Sequence, residues 1–239
     1  MDQGTQEEWM TEPGDLDGAP RLTGERVDLG PWEYSGSRFS CDLARISYDT
    51  MINEPLVLEA AVFGTNTNDL FFAWDLDDDG VFEHAGAHLS EITNSYPNAG
   101  TYAVSLCVSN SAGQVATIRR ERGVEAGVPE IFVSPSGGAW PPYTNWLLAA
   151  RSLHEALPFA RAGSVIWVAS GVYTLTNEAR LTYGITLQSI EGPDQTQING
   201  SGSNRCFYIG HSNAIIRGLT IKDGYELASD GGGVYIKAG

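Results

Sequence analysis

A strict two-residue alternation over positions 102–109 constrains the fold of this 239-residue chain more than any other feature. Tyr102, Val104, Leu106 and Val108 fall on one side of an extended backbone, and small or polar residues fall on the other. Because side chains of a strand alternate between its two faces, this period predicts a strand with one buried face. Such strands are typical of antiparallel sheets. We expect Tyr102, Leu106 and Val108, together with Trp74, to lie in a core.

A second informative run, Trp74-Asp75-Leu76-Asp77-Asp78-Asp79-Gly80, follows an apolar stretch. Asp75, Asp77 and Asp79 have the alternate spacing with which calcium loops direct carboxylates at one cation, and Glu83 can add an oxygen. Position 12 of an EF-hand loop would be Gly86 instead of glutamate, so an EF-hand is excluded. The run predicts either a partial calcium site with an affinity of ~0.1–1 mM or aspartates that only form the turn.

Together the two runs resemble the PKD (polycystic-kidney-disease) domain, whose signatures are W-D-x-G-D-G and G-x-Y-x-V-x-L-x-V-x-N. The resemblance implies an immunoglobulin-like β-sandwich, predicted here over residues 41–127. Further strands are expected at 56–63, 70–74 and 115–118, where short apolar runs lie between glycine and asparagine turns. The resemblance also implies an extracellular spacer or binding module, and such sandwiches are seldom enzymes.

Charge is distributed unevenly along the chain, whose net charge is −16. Residues 1–127 hold 22 acidic and 7 basic side chains, whereas residues 128–239 hold 8 and 7. This break predicts a domain boundary near Gly127. An acidic first half lacks the basic footprint that nucleic acid requires, so nucleic-acid partners are excluded.

The three cysteines, Cys41, Cys107 and Cys206, have no metal-site spacing. We expect free thiols, and a Cys41–Cys107 disulfide is the alternative that the sequence allows. No stretch of the sequence is long enough to span a membrane. The N-terminus has no leader pattern, so a secreted or cell-surface location would require the leader to belong to a longer protein.

Residues 1–40 are polar and rich in glycine and acidic side chains. They contain Asp15-Leu16-Asp17-Gly18-Ala19-Pro20-Arg21 and Val27-Asp28-Leu29-Gly30-Pro31-Trp32-Glu33-Tyr34. These motifs resemble the tail D-L-D-G-x-P-R…V-D-x-G-x-x-E-Y that closes β-helix regions in large bacterial surface proteins. The resemblance implies that residues 1–40 are the partly irregular tail of a preceding module.

The last predicted module spans residues 128–239. A polar linker is expected over 119–129, at the junction with the preceding module. An apolar stripe predicts an amphipathic helix over 145–162 that Pro158 kinks or ends; the stripe consists of Trp146, Ala150, Leu153, Leu157 and Ala160. Short apolar strands without intervening helices are expected at 131–133, 165–168, 185–188, 206–209, 215–221 and 233–236. The strands that begin at 165, 185 and 206 start about one solenoid repeat apart, within the range of ~20–45 residues.

This last region resembles the start of a right-handed parallel β-helix of the pectate-lyase-like superfamily. The matching motifs are Val133-Ser134-Pro135-Ser136-Gly137, Ala169-Ser170-Gly171-Val172-Tyr173, Leu187-Gln188-Ser189, Gly218-Leu219-Thr220-Ile221-Lys222-Asp223-Gly224 and Gly231-Gly232-Gly233-Val234-Tyr235. We expect the predicted helix to cover the first open end of the coils, and the natural protein to continue beyond residue 239 because such repeats need about three or more units. The predicted fold class is therefore mainly all-β: an Ig-like β-sandwich joined to the start of a parallel β-helix with one capping α-helix.

Candidate binding residues in this region are aromatic. Trp140 and Tyr143 lie in a proline-rich loop and predict an exposed patch for a ligand, whereas Trp146 and Trp167 are expected in the core. Enzymes of the β-helix type place carboxylates and cations on one face of stacked coils. The candidates for such a site do not repeat at one-coil spacing, so no catalytic site is predicted; they are Arg217, Lys222, Asp223 and Asp230.

The sequence as a whole predicts a non-catalytic structural or adhesive segment of a large extracellular bacterial protein, with further domains on both sides. Its expected partners are a polysaccharide or a cell-surface glycan, and calcium is the only cofactor indicated. The alternative is a fragment of a β-helix polysaccharide lyase or glycoside hydrolase whose active site lies downstream.

Overall fold

The computed structural model describes residues 39–64, 66–227 and 231–237. This part of the chain is mostly β-structure, with a single short α-helix. None of its helices has both the length and the apolar character needed to cross a bilayer. The module predicted over residues 1–40 lies almost entirely outside the described residues.

Residues 40–127 form two sheets. Their strand orders are β1-β3-β6 and β2-β8-β7-β4-β5. The β1–β3, β4–β5 and β4–β7 pairs are antiparallel, and β2 pairs in parallel with the end of β8. The strands are β1 (Ser40–Leu43), β2 (Tyr48–Met51), β3 (Leu56–Phe63), β4 (Phe71–Asp75), β5 (His84–Ala87), β6 (Glu91–Asn94), β7 (Gly100–Ser109) and β8 (Val115–Gly127).

The alternation predicted from the sequence fixes which side chains of β7 are buried. Val104, Leu106 and Val108 are buried, as is Trp74 on the neighbouring β4. Tyr102 is only half-buried, so its expected place in the core is wrong; its ring instead lies against Tyr96, with centroids 4.3 Å apart. Each fully buried large apolar side chain contributes ~1.5–3 kcal/mol to stability.

Residues 130–236 form three parallel sheets, with strand orders β9-β10-β13-β16, β11-β14-β17 and β12-β15-β18. From β10 onward the chain visits the three sheets in turn, so each strand from β13 to β18 pairs with the strand one coil earlier. The strands are β9 (Glu130–Val133), β10 (Val165–Val168), β11 (Gly171–Thr174), β12 (Ala179–Leu181), β13 (Thr186–Ser189), β14 (Thr196–Asn199), β15 (Phe207–Ile209), β16 (Ile215–Arg217), β17 (Thr220–Lys222) and β18 (Val234–Ile236).

Equivalent positions of successive coils stack in register in these sheets. Ile131 pairs with Ile166 and Ile166 with Leu187, and all three are fully buried. Tyr173 and Ile198 form a second buried row, and Ala179 and Phe207 a third. A shared apolar core between the three sheets is the result.

The helix predicted over residues 145–162 is wrong. The structure has only α1 (Leu153–Ala156), capped by the Ser152 hydroxyl, and a 3-10 helix (Leu157–Phe159) that contains Pro158. The preceding residues use their backbone groups elsewhere: the Phe132 N–H donates to Tyr143 O at 2.9 Å and the Ala150 N–H donates to Phe132 O at 2.9 Å. Residues 143–150 therefore cover the free edge of β9, which would otherwise recruit other chains.

Two further sequence predictions are corrected by the strand bounds. Residues 119–127 are not a linker, because β8 continues to Gly127 and buries Val124 and Ala126. The single strand expected over 215–221 is two strands, β16 and β17, on different sheets. Gly218 lies between them with φ +63°, a left-handed conformation that turns the chain and that glycine adopts without strain.

Contacts divide the chain into two compact units. The first contains residues 59–92 and 104–120 with the described residues up to 45, and the second contains residues 46–58, 93–103 and the described residues from 121 onward. The boundaries predicted from the sequence at residues 40 and 127 stay predictions.

Candidate functional site

Four carboxylates converge where β4 ends. Asp75, Asp77, Asp79 and Glu83 each offer an oxygen, and these oxygens lie within 4.8 Å of one another. We call residues 75–83 the carboxylate loop. Three of the four side chains are exposed, and Asp75 is buried. The structure thus brings together the same four residues that the sequence spacing selects.

Backbone amides hold this loop in its conformation. The Asp75 carboxylate accepts bonds from the Asp78 N–H at 2.7 Å and the Gly80 N–H at 3.0 Å. Glu83 accepts from the Leu76 N–H at 2.6 Å, and Asp79 accepts from the Val81 N–H at 2.7 Å. Asp77 accepts none of these bonds. Its carboxylate is therefore the member of the cluster that the loop conformation needs least.

The remaining aspartate of the run points to a different partner. Asp78 accepts hydrogen bonds from Arg119 Nε at 2.7 Å and Arg119 Nη2 at 2.6 Å. The bond from Arg119 lowers the pKa of Asp78 below its usual value, so this carboxylate is ionised and neutralised at neutral pH. The Asp78–Arg119 pair therefore ties the loop to β8.

Oxygen donors at this density suit a hard divalent cation. Calcium takes six to eight oxygen ligands at ~2.3–2.6 Å, and carboxylates, backbone carbonyls and water supply them. The cluster provides four carboxylates with several lone pairs beyond those used by the backbone amides. These residues fit calcium chemically.

The aromatic residues selected from the sequence have different environments. Trp140 is 69% exposed, whereas Tyr143 is buried, with its ring edge-on to Phe159 at a centroid distance of 5.4 Å. Burial raises the pKa of Tyr143 above its usual value, and the charge of Glu155 adds to the effect. The two residues therefore do not form a shared exposed patch.

Two tryptophans expected in the core lie on the surface instead. Trp146 is 39% exposed, and Trp167 lies on the outer face of β10, in register with Phe132 on β9. The two-residue period carries the signal that was missed: Ile166 and Val168 point inward, so Trp167 between them must point outward. Trp146 is expected in the core as the first member of the helical stripe, but α1 begins only at Leu153.

A network of charged groups in the second unit was also missed. Arg161 Nη2 lies 2.9 Å from Glu125 Oε2, and Arg161 Nε lies 3.2 Å from Asp49 Oδ1. Tyr183 donates its hydroxyl to Glu125 at 3.0 Å, and the Arg161 guanidinium lies over the Tyr183 ring, 5.2 Å from its centroid. Glu125 and Arg161 are both buried. We call Asp49, Glu125, Arg161 and Tyr183 the charge network.

Burial and neighbouring charges shift the pKa values of three groups in the charge network. Burial opposes the ionisation of Glu125, but the hydrogen bond from Arg122 and the charge of Arg161 outweigh it and lower its pKa. Burial raises the pKa of Tyr183 to about 12. Burial also raises the pKa of Asp49, although Arg161 opposes this. A groove of about 550 Å³ is lined in part by Glu125, Arg161 and Tyr183, so paired charges form part of its wall.

The candidate catalytic residues within the described part of the chain lie at the ends of strands on two different sheets. Arg217 ends β16 and Lys222 ends β17, which belong to different sheets, and Asp223 follows in a turn with φ +52°. Asp230 lies outside the described residues. The three cysteines are free thiols, as expected from the sequence.

Comparison with known proteins identifies one part of the chain. Residues 50–120, less than half of the sequence, match the family model of the PKD domain. This match agrees with the family that the Trp74–Gly80 and 100–110 runs resemble, and it contains the whole carboxylate loop. A search of curated proteins found no match. PKD domains are typical structural and adhesion modules of multi-domain extracellular proteins.

Proposed function

We propose that this chain is a non-catalytic structural segment of an extracellular protein and that calcium bound in the carboxylate loop stabilises its PKD-matching module. One observation carries the proposal: Asp75, Asp77, Asp79 and Glu83 bring their oxygens within 4.8 Å of one another at the end of β4. Secretion or attachment to a cell surface is part of the proposal, and the PKD match supports it.

Electrostatics explains why a cation belongs in this loop. Two unit charges 4.8 Å apart repel by about 1 kcal/mol in water, and four carboxylates form several such pairs. A divalent cation turns this repulsion into attraction. Since the folded chain gathers the carboxylates and the unfolded chain does not, calcium binds the folded state preferentially and stabilises it.

We further propose that residues 130–236 are the start of a right-handed parallel β-helix of the pectate-lyase-like type. The three parallel sheets, the in-register apolar rows and the covered edge of β9 support this architecture. An experimental structure of the chain tests it. A right-handed path through successive coils is expected, and a left-handed path would contradict the proposal.

Thermal unfolding with and without calcium tests the metal proposal. With an affinity of ~0.1–1 mM, 10 mM calcium adds ~1.4–2.7 kcal/mol to the stability of the folded state. The melting temperature should rise by roughly 3–20 °C, the lower part of this range applying if the whole chain unfolds together. Chelation with EDTA should reverse the rise.

Asp77→Ala is the informative variant, because Asp77 accepts none of the backbone bonds that shape the loop. Without calcium it should melt at or slightly above the temperature of the unsubstituted chain, since one repulsive charge is gone. The rise with calcium should fall to about half or less of that in the unsubstituted chain. Glu91→Ala, which removes an exposed carboxylate of β6 outside the cluster, is the matched control and should keep the rise. An equal rise in both variants, or none in the unsubstituted chain, would refute the proposal.

A further inference from the structure

The outer face of the first parallel sheet carries a row of side chains that lie outside the apolar core. The row runs through consecutive register partners: Phe132 on β9, Trp167 on β10, Gln188 on β13 and Arg217 on β16. Trp146 extends it, since its ring lies edge-on to Phe132 at 4.8 Å. We call these five residues the outer row.

The outer row is separate from the apolar core beneath it. On the same strands, Ile131, Ile166 and Leu187 point inward and are fully buried. The aromatic rings of the outer row remain partly exposed, and Ile190 beside them is 50% exposed. Adjoining exposed aromatic side chains of this kind mark interaction sites on protein surfaces.

The rings line a shallow groove whose polar groups are held in place. The groove has a volume of about 370 Å³ and is also lined by Glu130, Gln188 and Ser189. The Trp167 indole N–H donates to Glu130 Oε1 at 3.1 Å, which fixes both the ring and the carboxylate. Aromatic faces therefore lie beside hydrogen-bonding groups along one line of the sheet.

We propose that the outer row binds a neutral polysaccharide, with sugar rings stacked on Trp167, Phe132 and Trp146. The C–H face of a pyranose is apolar and weakly positive, so it packs against the negative face of an aromatic ring. Its hydroxyl groups can exchange hydrogen bonds with Gln188, Glu130 and Arg217 at the edges of the row. The proposal gives the extracellular segment a ligand, and it does not depend on calcium binding.

Charge and polarity select this occupant over the alternatives. An acidic polymer would meet the Glu130 carboxylate in the groove, and residues 128–239, with 8 acidic and 7 basic side chains, offer no excess of positive charge to attract it. An apolar protein surface would offer no hydrogen-bond partner to the Gln188 amide or to the second carboxylate oxygen of Glu130, at a cost of ~1–3 kcal/mol for each unsatisfied group. A ligand with apolar faces and hydroxylated edges satisfies both the rings and the polar groups.

Affinity electrophoresis through gels that contain a soluble polysaccharide tests the proposal. The probes are hydroxyethyl cellulose, mannan and dextran as neutral polymers and polygalacturonate as the acidic counterpart. At least one neutral polymer should retard the chain. Trp167→Ala should weaken retardation at least tenfold, and Trp146→Ala, at a more exposed position, should weaken it several-fold.

Trp140→Ala is the matched control, because Trp140 is 69% exposed but lies outside the outer row. It should leave retardation unchanged, and unchanged melting temperatures verify that the variants fold. Lack of retardation by any neutral polymer, preference for polygalacturonate, or equal loss in Trp140→Ala would overturn the proposal. Sedimentation that shows a dimer of the unsubstituted chain and a monomer of Trp146→Ala would also overturn the proposal, since a second copy of the chain would then occupy the outer row.

Discussion

Replacement of Arg161 by alanine is the substitution whose cost the structure defines best. Arg161 is 6% exposed and forms ion pairs with Glu125 at 2.9 Å and Asp49 at 3.2 Å. Its Nη1 also donates to Pro158 O at 3.0 Å and Ala160 O at 2.8 Å. The variant therefore removes one member of a buried ion pair and leaves buried acceptors behind.

The expected loss is ~3–5 kcal/mol, the range for breaking a buried ion pair by removing one partner. Arg122 and Tyr183 still contact Glu125, so the lower half of that range is the sharper expectation. Such a loss lowers the melting temperature by roughly 6–20 °C in a domain of this size. Urea unfolding followed by circular dichroism measures it as a change in free energy of unfolding.

Arg180→Ala is the matched control. Arg180 pairs with Glu178 at the surface, where an ion pair contributes ~0–1 kcal/mol. Its guanidinium also lies 3.8 Å from the centroid of the Tyr208 ring, a contact that adds ~0.5–1 kcal/mol. This variant should lose at most ~2 kcal/mol. Equal losses for the two arginines, or a loss below ~1 kcal/mol for Arg161→Ala, would refute the assignment of a buried network.

Arg161→Ala also has a predicted pH dependence. The pKa of Glu125 is lowered in the folded state, so its contribution is present above the pKa of the unfolded chain and is lost as pH falls through the folded pKa. Without Arg161 the folded pKa rises. Arg161→Ala should therefore begin to lose this part of its stability at a higher pH than the unsubstituted chain does.

Two further predictions concern the thiols and the segment that covers β9. Burial raises the pKa of Cys41 to about 11 and that of Cys206 above its usual value, so a thiol reagent at pH 8 should label both only after unfolding; rapid labelling of the native chain at either would contradict the described burial. A Cβ on Gly137 would lie 2.7 Å from the Ala149 carbonyl carbon, so Gly137→Ala should cost ~1–3 kcal/mol in urea unfolding, whereas Gly233→Ala, with its nearest neighbour at 3.8 Å, should cost less than ~1 kcal/mol.

The strands with a strong period or a long apolar run could be predicted from sequence. The strand expected over 56–63 has those bounds in the structure, and β7 buries Val104, Leu106 and Val108 as its alternation requires. The carboxylate cluster was also predictable, because a tight turn after a strand keeps residues of alternate spacing together. Local sequence determines both features.

Features that depend on distant partners could not be predicted. An apolar stripe at 146–160 has helical spacing, but the backbone of residues 143 and 150 bonds β9 instead, and that competition is invisible in the sequence. Strands β11, β12 and β14 are short and polar on one face, so their formation depends on pairing with neighbouring strands and not on a local pattern. The charge network joins residues 49, 125, 161 and 183, which no local motif connects.

Calorimetric titration of calcium into the full chain tests the central claim most directly. One site per chain is expected, with a dissociation constant of ~0.1–1 mM that Asp77→Ala weakens at least tenfold and Glu91→Ala leaves unchanged. Absence of saturable heat, or the same titration curve for Asp77→Ala as for the unsubstituted chain, would contradict calcium binding by the four carboxylates.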